Sequence, residues 1–143
     1  MGEGRRSARR QAVFILYQQD LLKLSSHEAL GRSQDEVNDY ACRIVKGVDD
    51  HKAQIDSLLD EHLSGWSLER LGPLERAILR VSAYELVAEE DVPVAVAIDQ
   101  AVTLAKRFCS GEASALVNGV LGALASAARP AASSEMDESG TAG

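Results

Sequence analysis

Residues 73–90 read PLERAILRVSAYELVAEE, and the spacing inside this stretch decides the fold class. Leu74, Ala77, Ile78, Val81 and Tyr84 recur at steps of three and four, the period of a helix with one buried face. Pro73 suits the first helical position, where a missing N–H leaves nothing unsatisfied. The stretch predicts a helix from Pro73 to about Glu90. Downstream, Asp91-Val92-Pro93 breaks it, and Ile98, Ala101, Val102, Ala105 and Phe108 form the next stripe, ending at Cys109-Ser110-Gly111. Leu116, Val117, Val120, Leu121 and Leu124 form the last one. Upstream lies the connection HLSGWSLERLGP (62–73), punctuated by Gly65, Gly72 and Pro73. It holds the only tryptophan, Trp66, expected as a hydrophobic plug between two halves.

Further upstream the period is again helical. From Gln34 to Leu63 there are two stripes, Val37, Tyr40, Ala41, Ile44, Val45 and Val48, then Ile55, Leu58, Leu59 and Leu63. Asp49-Asp50-His51 is the expected boundary between them. Leu24-Ser25-Ser26 is a break, and Ser26 is expected to cap a short turn through Leu30. The first helix is expected from Ser7, as N-cap, to about Lys23. Its consecutive Phe14, Ile15, Leu16 and Tyr17 make it apolar on more than one side, hence central. No period-2 run of β-branched residues appears anywhere, so the chain reads as all-α, in two helical clusters.

At 143 residues the chain is of single-domain size, and with aromatics at 4% its core must be aliphatic. No apolar stretch approaches the ~20 residues that span a bilayer. The basic start lacks a long apolar run or a cleavage-like site, so no signal peptide is read, and a cytoplasmic protein is expected. Cys42 and Cys109 lack CxxC spacing and read as buried thiols. The charge is uneven. Residues 1–10 carry four arginines against one glutamate, +3, which leaves −10 for the rest of a chain whose total is −7. An acidic body repels phosphate broadly, so a small basic patch on it suggests a confined anionic contact.

That patch is GRRSARRQ (4–11). On an ideal helix Arg5, Arg6, Arg9 and Arg10 fall within an arc of roughly 140°, able to offer one surface to a polyanion. The charge opposes the helix dipole, and only arginine is used, the residue that forks onto phosphate and stacks on bases. A solvated, frayed terminus is the alternative. Arg80 reads as a snorkelling or salt-bridged arginine, Tyr17 and Tyr84 as core or boundary aromatics. Asn118, beside Gly119, reads as a packing amide at a close helix–helix approach. Catalytic signals are weak. His27, His51 and His62 lack metal-ligand spacing, and no phosphate loop, nucleophile elbow or paired carboxylates are found. Neither an enzyme, a cofactor nor a metal is expected.

RRSARRQAVFILYQ, LERAILRVSAYEL, the DVP break, AIDQAVTLAKRF and VNGVLGAL, in that order, resemble the bacterial NusB family of transcription antitermination factors. They span roughly residues 5–124, with a variable part between Leu22 and Val37. HLSGWSLERL looks most like the actinobacterial branch. The resemblance implies an all-α fold of two three-helix-like bundles packed roughly perpendicularly. One domain is expected over residues 1–128, with bundles at about 7–63 and 68–128, and the tail at 129–143, rich in Ala, Ser, Gly and acidic residues with nothing to bury, is expected to be disordered. The resemblance further implies binding of boxA single-stranded RNA together with the ribosomal protein NusE, helping RNA polymerase read through terminators, notably on ribosomal RNA operons. The RNA role carries over to Arg5, Arg6, Arg9 and Arg80. Contact with NusE carries over to Tyr17 and Glu75, and the boundary of RNA and partner to Glu112 and Leu116. Two residues depart from the family pattern. Leu116 stands where a phenylalanine is frequent and cannot stack on a base, and Ser7 stands where a basic residue is frequent. Other readings are a helical adaptor that docks only proteins, a homodimer hiding the arginine face, and the NusB-like module of an rRNA methyltransferase. The sequence past residue 129 offers no cofactor-binding pattern for the last.

Overall fold

The computed structural model describes residues 2–33 and 36–129. Among these residues are seven α-helices and no strand: α1 (Gly2–Leu22), α2 (Ser26–Gly31), α3 (Asp39–Asp50), α4 (Lys52–His62), α5 (Pro73–Ala88), α6 (Val94–Phe108) and α7 (Gly111–Ala128). A 3₁₀ turn at Leu68–Arg70 precedes α5. The all-α expectation holds, with α3 giving way to α4 at His51 and Pro73 opening α5. No described helix is long and apolar enough to cross a membrane.

Helix α5, rather than α1, is the centre. From Ala77 to Leu86 every residue but Arg80 is buried, and the helix packs against α1, α3, α4, α6 and α7. Helix α1 covers one side of it and also packs on α2 and α3. Helices α6 and α7 are joined by only Cys109 and Ser110, which makes them antiparallel neighbours. Small residues are buried on both, Ala97, Ala101 and Ala105 on α6 and Ala113 and Ala125 on α7. The core is aliphatic and continuous.

Local signals set the ends. Ser25 and Glu28 form a reciprocal capping box on α2. The Asn38 side chain accepts from the Tyr40 N–H at 2.8 Å and starts α3 at Asp39. The earlier start expected at Gln34 lies outside the described residues. Gln11 of α1 ties down the segment before α3: its amide donates to the Glu36 carbonyl at 3.1 Å and its oxygen accepts from the Asn38 N–H at 2.9 Å.

Four expectations are corrected. Helix α1 begins at Gly2, so Ser7 is an exposed mid-helix residue; the turn before it is held by Arg5, which pairs with Asp91 and lies over the Tyr40 ring. Trp66 is 55% exposed, and the buried residues of that connection are Leu63, Leu68 and Leu71. The turn at Gly65, with φ of 76°, turns Trp66 outward. Asn118 and Gly119 are exposed, and a Cβ on Gly119 would meet nothing within 4 Å, so the pair marks no close helix approach. Arg129, assigned to the tail, is anchored: Nε donates to the Leu86 carbonyl (3.0 Å), Nη2 to those of Glu85 (2.9 Å) and Glu89 (2.8 Å), and Nη1 to Val92. It satisfies the carbonyls that the end of α5 leaves open. The rest of the expected tail, residues 130–143, lies outside the described residues.

Gly47 on α3 is where the helices meet most closely. A Cβ built there would lie 2.2 Å from Cε1 of Tyr84. In an open helix, glycine to alanine stabilises by about 1 kcal/mol. Here the buried Tyr84 ring, tethered through its hydroxyl to Glu89 at 2.7 Å, would have to move. Overpacking of this kind costs about 1–3 kcal/mol, enough to reverse the sign. Gly47→Ala is therefore expected to lower the denaturation midpoint, and a raised midpoint would contradict this packing.

Candidate nucleic-acid interface

The arginines at the start of α1 divide into two kinds. Arg9 points inward: it is 4% exposed, and its Nε donates to both oxygens of Glu85, at 2.9 and 2.8 Å. Glu85 is fully buried on α5 and also accepts from the Tyr40 hydroxyl. A carboxylate cannot remain charged in such a place without close donors, and Arg9 supplies the compensating charge. Arg5 donates to Asp91 at 3.2 Å, with its Cζ 4.5 Å from the Tyr40 ring centroid. Arg6 and Arg10, by contrast, are exposed, and among the described residues no carboxylate pairs with either. The single four-arginine surface expected from the helical arc is thus reduced to Arg6 and Arg10, with Arg5 at its edge. Arg6 faces a groove between α1 and the start of α6, floored by Val92, Pro93 and Val96.

A second pair stands beside the first, its carboxylate buried and its arginine exposed. Arg43 of α3 holds Glu89 through two nitrogens at 2.7 Å, and the Tyr84 hydroxyl donates to the same carboxylate. Burial, and then the bond to Glu89, pushes the Tyr84 phenol up to about 12. Burial, and then the bond to Glu85, raises the Tyr40 phenol as well.

Arg80 is elsewhere. Its Nε and Nη2 donate to Asp56 at 2.9 and 3.1 Å, and its Nη1 lies 3.6 Å from Asp20. Asp20 also accepts from Arg76 at 2.8 Å. Since Arg5 pairs with Asp91 and Asp20 with Arg80, α1 and α5 run antiparallel, and Arg80 sits beside the far end of α1. Arg6 and Asp20 are fourteen residues apart, about 21 Å along the helix. The structure does not bring Arg80 to the arginines it was grouped with.

The residues expected at the partner contact gather around the α6–α7 junction. Glu75, in the first turn of α5, is close enough to Cys109 that its charge adds to burial in raising that thiol. Glu112 is in the first turn of α7, and Leu116 follows one turn later, half-buried against the core. Phe108 reaches α1 from the same junction, edge-on to Phe14 with centroids 5.1 Å apart. Tyr17 follows Phe14 by three positions and is half-buried. Among the described residues no group of His, Cys, Asp and Glu is placed to hold a metal, and both cysteines are free.

Sequence reading missed Glu85 and the bond that Tyr40 makes to it. The one visible signal was Glu85 itself, a lone carboxylate inside an apolar run. Breaking a buried ion pair typically costs about 3–5 kcal/mol. Arg9→Ala is expected to lose stability on that scale in denaturant titration, whereas Arg6→Ala should leave the midpoint unchanged; equal midpoints would contradict the placement of Arg9. The raised phenols also set an alkaline limit. Stability from neutral Tyr84 is complete below its ordinary value near 10 and is lost as pH rises through about 12. The denaturation midpoint should fall across that window, with phenolate absorbance lagging behind that of the unfolded chain.

Residues 6–126 match the NusB family model. Among similar proteins, the Transcription antitermination protein NusB of Bifidobacterium longum subsp. infantis is 42% identical over 142 residues, covering 94% of this chain and 76% of the relative. That of Bacillus subtilis is 40% identical over 119 residues, covering 82% and 91%. Among solved structures, T. maritima NusB superposes with a TM-score of 0.75 at 32% identity, over 85% of this chain and 89% of that one. A chain from the crystal structure of antitermination factors NusB and NusE in complex with dsRNA gives 0.77 at 29% identity, over 89% and 99%. The chain belongs to the NusB family, the family of these transcription antitermination proteins.

Proposed function

We propose that this protein is a transcription antitermination factor that binds boxA-type single-stranded RNA together with NusE and so promotes read-through by RNA polymerase, notably on ribosomal RNA operons. The observation that carries the RNA half is the exposed, uncompensated pair Arg6 and Arg10 on a protein of net charge −7. Likeness to a NusB chain solved with NusE and RNA supports both partners. Unpaired RNA offers base faces and edges that guanidinium planes can stack on and donate to, whereas the surrounding acidic body repels other nucleic acid.

Arg6 and Arg10 are the direct contacts in this reading. Arg5 joins them at low cost, because its pair with Asp91 is solvent-exposed and such pairs contribute little. Arg9 serves by holding α1 in place, and Arg80 by fastening its far end. Tyr17, Glu75, Glu112 and Leu116 form the proposed contact with NusE around the α6–α7 junction, next to the RNA face.

Titrating labelled boxA RNA, with and without purified NusE, across a salt series tests the proposal. Each phosphate neutralised on a single strand contributes about 0.7 to the slope of log K against log salt. Two arginines give a slope of about 1.4, and Arg5 raises it to about 2.1. Arg6→Ala and Arg10→Ala should each lower it by about 0.7 and weaken binding, with the helical circular dichroism spectrum unchanged. If the double variant binds as the parent does, the RNA half fails and the protein acts as an adaptor between proteins only.

A further inference from the structure

Most of the chain's arginines are already engaged. Arg5, Arg9, Arg43, Arg76 and Arg80 are held by carboxylates, and Arg129 by four backbone carbonyls. Among the described residues, Arg6, Arg10, Arg32, Arg70 and Arg107 have no ion pair. Of the last three, Arg32 lines a cavity with Arg10 on the α2 side of α1, and Arg107 is the one joined to α1 through aromatic rings. It is exposed in the last turn of α6, with its Cζ 5.2 Å from the centroid of Phe108. The Phe108 ring meets Phe14 edge-on at 5.1 Å and 88°. Phe14 lies one helical turn beyond Arg10, on the same side of α1, and Arg10 one turn beyond Arg6. The two rings therefore join the last turn of α6 to the cationic side of α1. Single-stranded nucleic acid is held by this combination, cations along the backbone and aromatic surface between them.

We propose that Arg107 is a further phosphate-binding residue for single-stranded RNA, extending the cationic track of Arg6 and Arg10 across the Phe14–Phe108 contact onto α6. The proposal rests on the RNA-binding reading above. Nothing opposes the charge of Arg107 from its own turn, where Lys106 adds to it. The track then runs toward the α6–α7 junction, so that RNA following it ends beside the proposed partner contact.

The test is a fluorescence-anisotropy titration of the full chain with labelled boxA RNA over a salt series, comparing the parent with R107A, R107K, R6A and K46A. Lys46 is exposed on α3 and serves as the charge control. R107A should bind several-fold more weakly at low salt, with the slope of log K against log salt reduced by about 0.7. R107K should keep the parent's slope, because an ammonium still neutralises one phosphate. K46A should change neither. If R107A binds as the parent does while R6A is weakened, the role of Arg107 is overturned and the RNA-binding reading stands. If neither R6A nor R107A changes binding, that reading itself fails. If R107A matters only once NusE is added, Arg107 is a protein contact and the proposal is overturned.

Discussion

Glu85 places a carboxylate at the most enclosed point of the central helix, with no access to water. Everything around it answers that charge. Arg9 crosses from α1 to meet it with a forked pair of bonds, and Tyr40 adds a hydroxyl from α3. The pair fixes the rotation of α1 about its own axis, because any other rotation leaves Glu85 buried and uncompensated. With Arg9 turned inward, Arg6 lies 60° and Arg10 100° round the helix from it, both to the same side, which is why those two reach solvent together. The outward face of α1 is thus a consequence of an inward ion pair.

The acidic body acts through selection as well as repulsion. Its carboxylates are placed so that five of the eleven arginines are neutralised in the fold, at Asp91, Glu89, Asp20 and Asp56 as well as Glu85. On the first turns of α1, what remains without a paired carboxylate among the described residues is Arg6 and Arg10. The positive charge that seemed misplaced at the start of a helix is partly cancelled by acids reaching it from α5 and from the turn that follows. Neutralisation of Arg5 and Arg9 relieves much of the conflict with the dipole, and the uncompensated remainder is the part the proposed function uses.

The helices were legible in the sequence because each carries its own evidence: a period of three and four, Pro73 at a start, Asp91-Val92-Pro93 at a stop, Asp49-Asp50-His51 at a junction. The sorting of arginines was not legible. Helical spacing shows that Arg5, Arg6, Arg9 and Arg10 share an arc, but which of them turns inward depends on a carboxylate 76 residues away. Arg80 is salt-bridged, as its place beside an apolar stripe suggested, but its partners Asp20 and Asp56 lie on two other helices and could not be named from the sequence. Trp66 misled for a different reason: size suggested burial, and a turn at one glycine placed it outside. The identification of α1 as the central helix failed because four consecutive apolar residues mark a helix with two covered sides, whereas α5 is covered on nearly all of them.

Helix α1 is fastened near its start to Asp91, in its second turn to Glu85, and near its end through Asp20 to Arg76 and Arg80. A helix held at three levels has no second rotation or register to move into. The proposed RNA face and the proposed partner contact both lie along it, with Arg6 and Tyr17 about 16 Å apart in rise. Coupling between two ligands requires either a protein element with two states or direct contact between the ligands themselves. With α1 held at three levels, the mutual strengthening of RNA and partner expected of the proposed function is better placed where the two ligands meet than in a movement of this helix. The Phe14–Phe108 contact lies between the proposed RNA-facing arginines on one side and the proposed partner residues Tyr17, Glu112 and Leu116 on the other. Thermodynamic linkage then makes the effect reciprocal: whatever factor the partner adds to RNA affinity, RNA must add to affinity for the partner.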